Sequence, residues 1–358
     1  MTAYLIVMII IIGLGIFAPQ QFQWSLRIAA FIGLLIFCGA RIEVGPDWFS
    51  YVIYQNYLVS ALPEFGWLSE PSFTAINIAS EQSGWGIVGV NLLTAFLFLI
   101  GLFALAAKTP YPWCAIAVAF CYYIPALPMG IIRQAAAVGI VFLLVAYWSR
   151  LRLWQRMALV VFAMTFHVSA VIMFGVILAS LSLALWKRAA MGGLAVILTV
   201  AFGIDPFSYF AVYEDRYIGG ISSSVVESTA SIFHWILIAA PATWYLLNHK
   251  KRVLRNVDSE LMFASSLIAI SLALLLPISS AAVTRIAFYF SYLPIVVGGS
   301  IIGTAYSPQF KVVVQAGVLS VSLAVLMIWL NFAENSDSYK PYQNFFTETS
   351  TKRKLYAD

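Results

Sequence analysis

Charge is what this chain has least of: Asp, Glu, Lys and Arg make up 10% of its 358 residues. A soluble domain carries about 25% charged residues, and here the hydrophobic share is 62%. Such a balance cannot coat a water-facing surface, so a soluble enzyme is excluded. Cysteine is scarce as well. Cys38, Cys114 and Cys121 fall inside apolar runs with no metal-ligand spacing, and read as small core residues. The chain has no Walker loop, no GxGxxG before a helix, no HExxH and no nucleophile elbow. The usual signatures of nucleotide use, zinc hydrolysis and serine esterases are therefore missing. The Gly192-Gly193 and Gly219-Gly220 pairs lack the flanks of a phosphate loop. The stretch Met1 to Ala18 has neither a basic start nor a small-residue cleavage site, and reads as a retained helix.

What the chain has is apolar length. Mean hydropathy is +0.91, and aromatics reach 15%, typical of membrane-interface belts. A span needs roughly 20 mostly apolar residues. Runs at 2–18, 25–40, 87–107, 111–127, 132–149, 189–204, 231–248, 261–279, 286–303 and 311–330 meet that need. The expected fold is an all-α polytopic membrane protein of about 12 transmembrane segments in a single domain. Its long hydrophilic connections are 41–86 and 205–230, followed by a polar tail, 331–358. The net charge of +5 has no clustered basic face behind it, so no nucleic-acid partner is expected.

Charge placement sets the orientation. Arg27, Lys108, Arg150, Arg152, Arg156, Lys187, Arg188, Lys250, Lys251, Arg252, Arg255 and Lys311 all fall in short connections. Placed on one side, they are 12 of the 20 basic residues, accompanied by only Asp258 and Glu260 among 15 acids. By the positive-inside rule that side is cytoplasmic, which puts both long loops and the tail outside. The stretch 157–185 must then cross an even number of times. Its 29 residues, split in two, give helices of roughly 21 Å each, too short for a roughly 30 Å hydrocarbon core. The expected solution is a broken hairpin with Phe166, His167, Val168 and Ser169 at its apex, tolerated where the break lines a protein or water cavity.

Three arginines stand at the outer ends of spans, against the charge bias: Arg41 ends the second, Arg133 opens the fifth and Arg285 opens the one at 286–303. A snorkelling anchor explains one such residue. Three together point to a binding role, and a planar guanidinium suits a diphosphate through parallel charge-assisted hydrogen bonds. The first outer loop carries Glu43, Asp47, Glu64, Glu70 and Glu81 among aromatic residues. Within it, 47–60 is expected to form an interfacial helix bearing Tyr51, Tyr54 and Tyr57, and 71–80 another after Glu70-Pro71. Aromatic faces beside carboxylates suit sugars, whereas the tyrosines alone fit a membrane belt. Asp47, next to Gly45-Pro46, is either functional or a loop cap. His167 at the hairpin apex is the candidate general base; His234, on the outer side of its span, is a weaker one.

These residues also resemble a known pattern. The ordered set Arg41-x3-Gly45-x-Asp47-x3-Tyr51, Glu70-Pro71-x-Phe73, Ile132-Arg133-Gln134 and Phe166-His167-x-Ser169-Ala170 is similar to the EpsG family. Arg285 with Tyr289, and Tyr339-x-Pro341-Tyr342, fit the family's C-terminal portion, whereas 190–260 matches little and leaves Arg216 and His234 without an inherited role. The resemblance implies a Wzy-type polysaccharide polymerase, an inverting glycosyltransferase of the broad C-type membrane class in the bacterial inner membrane. Its substrates would be two undecaprenyl-diphosphate-linked oligosaccharides on the periplasmic face, with a chain-length regulator and a flippase of the same pathway as partners. No cofactor and no essential metal are expected, since arginines can stabilise the leaving diphosphate. In this scheme Arg133 and Arg285 grip the diphosphate, and Arg41 helps or positions the first loop. His167 is the first choice of base and Asp47 the second. Tyr51, Glu70, Gln134, Tyr289 and Tyr342 bind sugar or position loops. A glycan ligase would use the same residue types. A membrane acyltransferase would need an inward route to its donor, and a flippase would place ionisable groups near the midplane.

Overall fold

The computed structural model describes residues 1–60, 70–181, 225–251, 256–277 and 279–347. The run expected as a span at 189–204, Arg216, and the basic residues Arg252 and Arg255 lie outside the described residues. All regular structure among the described residues is helical. In chain order the helices are α1 (Thr2–Phe17), α2 (Gln23–Gly39), α3 (Trp48–Ser60), α4 (Pro71–Gln82), α5 (Gly86–Ala106), α6 (Pro112–Ala126), α7 (Ile132–Tyr147), α8 (Leu153–Met164), α9 (Ile172–Ser180), α10 (Val225–Asn248), α11 (Ser259–Ser271), α12 (Ser280–Ala287), α13 (Tyr292–Gly298) and α14 (Pro308–Phe332). Among the described residues, three stretches are long and apolar enough to cross a membrane: Gly86–Ala106, Ile132–Arg150 and Pro308–Phe332. Seven others are apolar but shorter, at 10–17 residues.

The packing forms two compact units, Met1–Ala170 with Ile295–Asp358, and Val171–Pro294. The first is built on α5 and α7. Gly101 and Gly139 face each other at their crossing; a Cβ on Gly101 would lie 2.0 Å from the Gly139 carbonyl oxygen. Small residues of this kind let two backbones touch, which is how apolar helices gain contact without a hydrophobic drive between them. The window of Ile132–Arg150 is 78% buried, and that of Pro308–Phe332 only 22%. The first is therefore a core helix and the second a peripheral one, with Val312, Val313, Val321 and Phe332 pointing outward. Likewise α1 buries only a Tyr4, Met8 and Ile11 stripe while Ile6, Ile9, Ile10 and Ile16 face out, the pattern of a helix against lipid.

The second unit packs α10 against α11 and α12, and α9 against α11. Polar links cross its apolar faces: Thr284 Oγ1 donates to Ser231 Oγ (2.8 Å), Trp235 Nε1 to the Ala269 carbonyl (3.1 Å), and the Tyr292 hydroxyl to Ser265 Oγ. Asp258 caps α11 by accepting from the Glu260 and Leu261 amides.

The hydrophilic connection after α2 is held by the chain's own tail. The Ile42 amide donates to the Gln343 carbonyl (3.1 Å), the Phe345 amide to the Ala40 carbonyl (2.7 Å), and the Gly45 amide to the Ser338 carbonyl (2.8 Å). Arg41 and Asn344 form an antiparallel bridge within this strap. Gly45 sits at φ +106°, where a Cβ would lie 1.9 Å from the Met129 carbonyl oxygen. Only glycine fits both the left-handed backbone and the contact. Gly45→Ala is expected to destabilise the protein by about 2 kcal/mol or more. Thermal unfolding in detergent measures it, with the nearby exposed Ser50→Ala variant as the control.

Candidate functional site

Four of the sequence-predicted residues meet: Glu70, Arg133, His167 and, over the Arg133 guanidinium, Tyr51. Glu70 Oε2 accepts from Arg133 Nη1 at 2.8 Å, and Glu70 Oε1 lies 3.2 Å from His167 Nδ1. The second contact is at ion-pair distance, but the ring is turned so that Nδ1 makes no well-directed hydrogen bond. Glu70 and His167 side chains are each 10% exposed, and Arg133 is 41% exposed.

Local structure explains each placement. Pro71 opens α4 at its first turn, where its fixed φ and missing N–H cost nothing, so Glu70 takes the non-helical N-cap position just before it. The helix α8 ends because Thr165 turns its own hydroxyl back onto the Phe162 carbonyl (2.6 Å), a local bond that competes with the helix ladder. The Ser72 amide then donates to the Thr165 carbonyl (3.1 Å). Ser72 Oγ lies 2.7 Å from Thr165 Oγ1, and since the Thr165 hydrogen goes to Phe162, Ser72 is the donor. This clasp holds the start of α4 against the chain break that carries His167.

Arg133 occupies the first turn of α7, where the helix dipole disfavours a cation. Two features offset this. One is the Glu70 carboxylate. The other is a ring of aromatic faces, with the guanidinium carbon 5.6 Å from the Tyr51 centroid, 5.8 Å from Tyr54 and 5.7 Å from Phe73, within cation–π range. Tyr54 stacks on Phe73 and Tyr51 meets the same ring edge-on, so helices α3 and α4 form one aromatic wall. Part of the guanidinium fork stays reachable, which suits an anion arriving from outside the wall.

Burial alone pushes the Glu70 carboxyl up, but the His167 contact and the Arg133 charge outweigh it and hold the group below the ordinary carboxylate value of 4.5. The Tyr51 hydroxyl moves up because it is buried, with Asp47 and Glu70 adding to the rise and Arg133 opposing it. A depressed carboxylate contributes stability that is present above its ordinary value and lost as pH falls through the lowered one. Wild type is therefore expected to unfold at a higher temperature than Glu70→Gln at neutral pH, with the gap closing below the carboxylate range. Melting curves in detergent across pH measure this directly.

Within the same unit, Arg41, Tyr342, Asp47 and Gln134 make other contacts. Arg41 is 1% exposed, donating from Nε to the Val44 carbonyl (2.9 Å) and from Nη1 to the Cys38 carbonyl (2.7 Å), with Trp48 over its carbon at 5.6 Å. That is the geometry of a residue positioning the first loop. Tyr342 donates its hydroxyl to the Phe37 carbonyl (2.9 Å) and stacks on the Phe37 ring at 4.5 Å, as part of the tail strap. Asp47 is half-buried at the start of α3, its carbonyl accepting from the Tyr51 amide. Gln134 is fully buried beside Arg133 on α7.

Arg285 and Tyr289 belong to the second unit. Arg285 lies in the first turn of the apolar helical stretch Ala282–Gly298. Ser279 caps the helix six residues earlier by accepting from the Ala282 amide, which leaves Arg285 in the last turn of α12. Tyr289 is fully buried in the following 3-10 turn. His234 is also buried, its ring 4.1 Å from that of Phe288. Among the described residues, no group of three His, Cys, Asp or Glu side chains is placed to hold a metal ion.

A family model described as the EpsG family matches residues 24–344. The chain belongs to the EpsG family. These are Wzy-type polysaccharide polymerases, so the protein is a membrane protein of the polysaccharide-polymerase type. Comparison with curated proteins and with solved structures finds no match. The matched region of this EpsG-family chain takes in Glu70, Arg133 and His167 together with Arg41, Asp47 and Arg285.

Sequence reasoning missed Ser72 and Thr165, which fasten the site, and Tyr54 and Phe73 as walls around Arg133. The available signal was adjacency: Ser72 and Phe73 follow Glu70-Pro71 directly, and Thr165 lies two residues before His167.

Proposed function

We propose that this protein polymerises exopolysaccharide, capsule or O-antigen repeat units on the periplasmic face of the bacterial inner membrane. The donor is a glycan on undecaprenyl diphosphate, and the acceptor is the non-reducing-end sugar of the next lipid-linked unit. The observation that carries this reading is Arg133, an arginine with a reachable fork, held between aromatic walls and a carboxylate that also touches His167. A guanidinium stabilises developing diphosphate charge, aromatic faces accept sugar rings, and an imidazole takes a hydroxyl proton near neutral pH.

The acceptor hydroxyl gives its proton to His167. Its oxygen lone pair forms the new bond to the donor's anomeric carbon from the face opposite the diphosphate. The bond from that carbon to the diphosphate oxygen breaks, and its electron pair leaves with the lipid diphosphate, whose charge Arg133 meets. The anomeric configuration inverts, and no nucleotide is consumed. Asp47 is the alternative base. Arg285 keeps a proposed role in diphosphate binding, which the charge argument carries by itself. The full architecture in this reading has about 12 spans and a C-type glycosyltransferase plan, and works beside a flippase and a chain-length regulator.

The test is the lipid-linked glycan pool in a deletion strain. Accumulated single repeat units on the outer face are expected; accumulated long chains would mean a ligase, and units trapped inside a flippase. Reporter fusions at Asp47 and Arg152 should read outside and inside respectively.

A further inference from the structure

We infer that Glu70 is the positioning residue for His167, holding the ring so that Nε2 faces the acceptor hydroxyl. This rests on the reading of His167 as base given above and deepens it. Three observations carry it. First, the two carboxylate oxygens are divided: Oε2 serves Arg133 at 2.8 Å and Oε1 faces His167 Nδ1 at 3.2 Å. A counter-ion for Arg133 alone would have no reason to leave one oxygen on an imidazole. Second, the clasp from Ser72 to Thr165 uses two bonds, amide to carbonyl at 3.1 Å and hydroxyl to hydroxyl at 2.7 Å. It fastens the residue two after Glu70 to the residue two before His167, fixing the separation of the pair rather than that of Glu70 and Arg133. Third, His167 Nδ1 is buried with no other partner among the described residues, so the carboxylate is the acceptor within reach.

The chemistry follows from the tautomer. A carboxylate at Nδ1 places the neutral ring's proton there and leaves the Nε2 lone pair to accept. When the acceptor's proton arrives at Nε2 the ring becomes a cation, and Glu70 faces it as an anion without taking a proton itself. The proton later leaves Nε2 to water and the site resets. The charged and titratable groups about the pair are Arg133 from α7, Tyr51 from α3 and, next to Tyr51, Asp47. Nδ1 approaches the carboxylate off-line, and catalytic contacts of this kind tighten when substrate binds.

The experiment uses the full chain in nanodiscs with a lipid-linked repeat unit, reading kcat and KM separately, and 15N spectra of the histidine rings. For Glu70→Gln the expectation is a kcat lower by about 100-fold or more with KM changed only a few-fold. The neutral His167 ring should pass from one tautomer to a mixture of two. Thr165→Val, which loses the hydroxyl bond of the clasp on a part-exposed residue and keeps the backbone one, should lower kcat on the order of 3- to 10-fold, and Thr165→Ser should restore it. If Glu70 served Arg133 alone, Glu70→Gln would lower the rate only through the diphosphate grip, as is expected of Arg133→Lys, and leave the His167 tautomer untouched; an untouched tautomer or an unchanged kcat overturns the inference. Should Glu70→Gln fail to fold, the Thr165→Val and Thr165→Ser pair decides, equal kcat in both counting against it. If wild type makes no polymer the functional reading fails, while the tautomer spectra still judge the pairing of Glu70 with His167.

Discussion

His167→Ala is expected to bind lipid-linked repeat units and yet extend no chains. An acceptor hydroxyl is a poor nucleophile, and general-base help is typically worth about 100- to 10,000-fold. The ring is buried at a chain break beside a carboxylate, and its loss removes a proton acceptor without removing the Arg133 fork that meets the donor. Asp47→Asn should be milder, because Asp47 sits at the start of α3 and bears on the site through Tyr51. Purified protein in nanodiscs, substrate binding by filtration and chain length on a gel decide the matter. Lost binding in His167→Ala, with chain growth failing instead in Asp47→Asn, would exchange the two roles.

Arg133→Lys is expected to fall about 10- to 100-fold in rate although the charge is kept. Lysine presents a compact ammonium where arginine presents a planar fork. At this position the difference is concrete. The guanidinium has three aromatic rings about it within 6 Å and one donor already engaged by Glu70, so it can hold the carboxylate and still offer parallel donors to a diphosphate. An ammonium's three donors diverge from a single nitrogen, so it cannot present a parallel pair to the diphosphate while it holds the carboxylate. The measurement is polymer yield and rate with a defined lipid-linked donor, and a near-normal Arg133→Lys would reduce the residue to an interface anchor. Arg285→Lys tests the second arginine in the same assay.

Some of this architecture is legible in the chain itself. Pro71 after an acidic residue, with apolar and small residues following, announces α4. The aromatic run from Trp48 announces α3. The break in 157–185 follows from charge placement and length together, since the basic residues call for an even number of crossings and two full ones do not fit, and the helix ends at Thr165 next to the apex read from the sequence. What is not legible is the meeting of Glu70 with Arg133 and His167, because each lies in a different local pattern and only tertiary packing selects the partners. Arg41 shows another limit. An arginine at a helix end looks the same whether it faces an anion or turns back onto carbonyls, and here Cys38 and Val44, each three residues away, supply the acceptors. Around Arg285 one hydroxyl sets the helix start, since the Ser279 cap begins α12 earlier than hydropathy suggests. The tail was hardest to read: a polar stretch gives no sign that its backbone will pair with residues 40–45.

That strap has a consequence for how the protein is made. The connection carrying Arg41, Gly45 and Asp47 is synthesised long before the tail, yet the Ile42 and Gly45 amides and the Ala40 carbonyl find their partners in Gln343, Ser338 and Phe345. The face that leads into α3 and the Arg133 wall therefore stays unfinished through most of synthesis. Membrane insertion of every intervening helix precedes its closure, so a chain halted before its last helix is complete lacks the fastening for the first loop. The fastening of the first loop is thereby tied to the synthesis of residues 338–345.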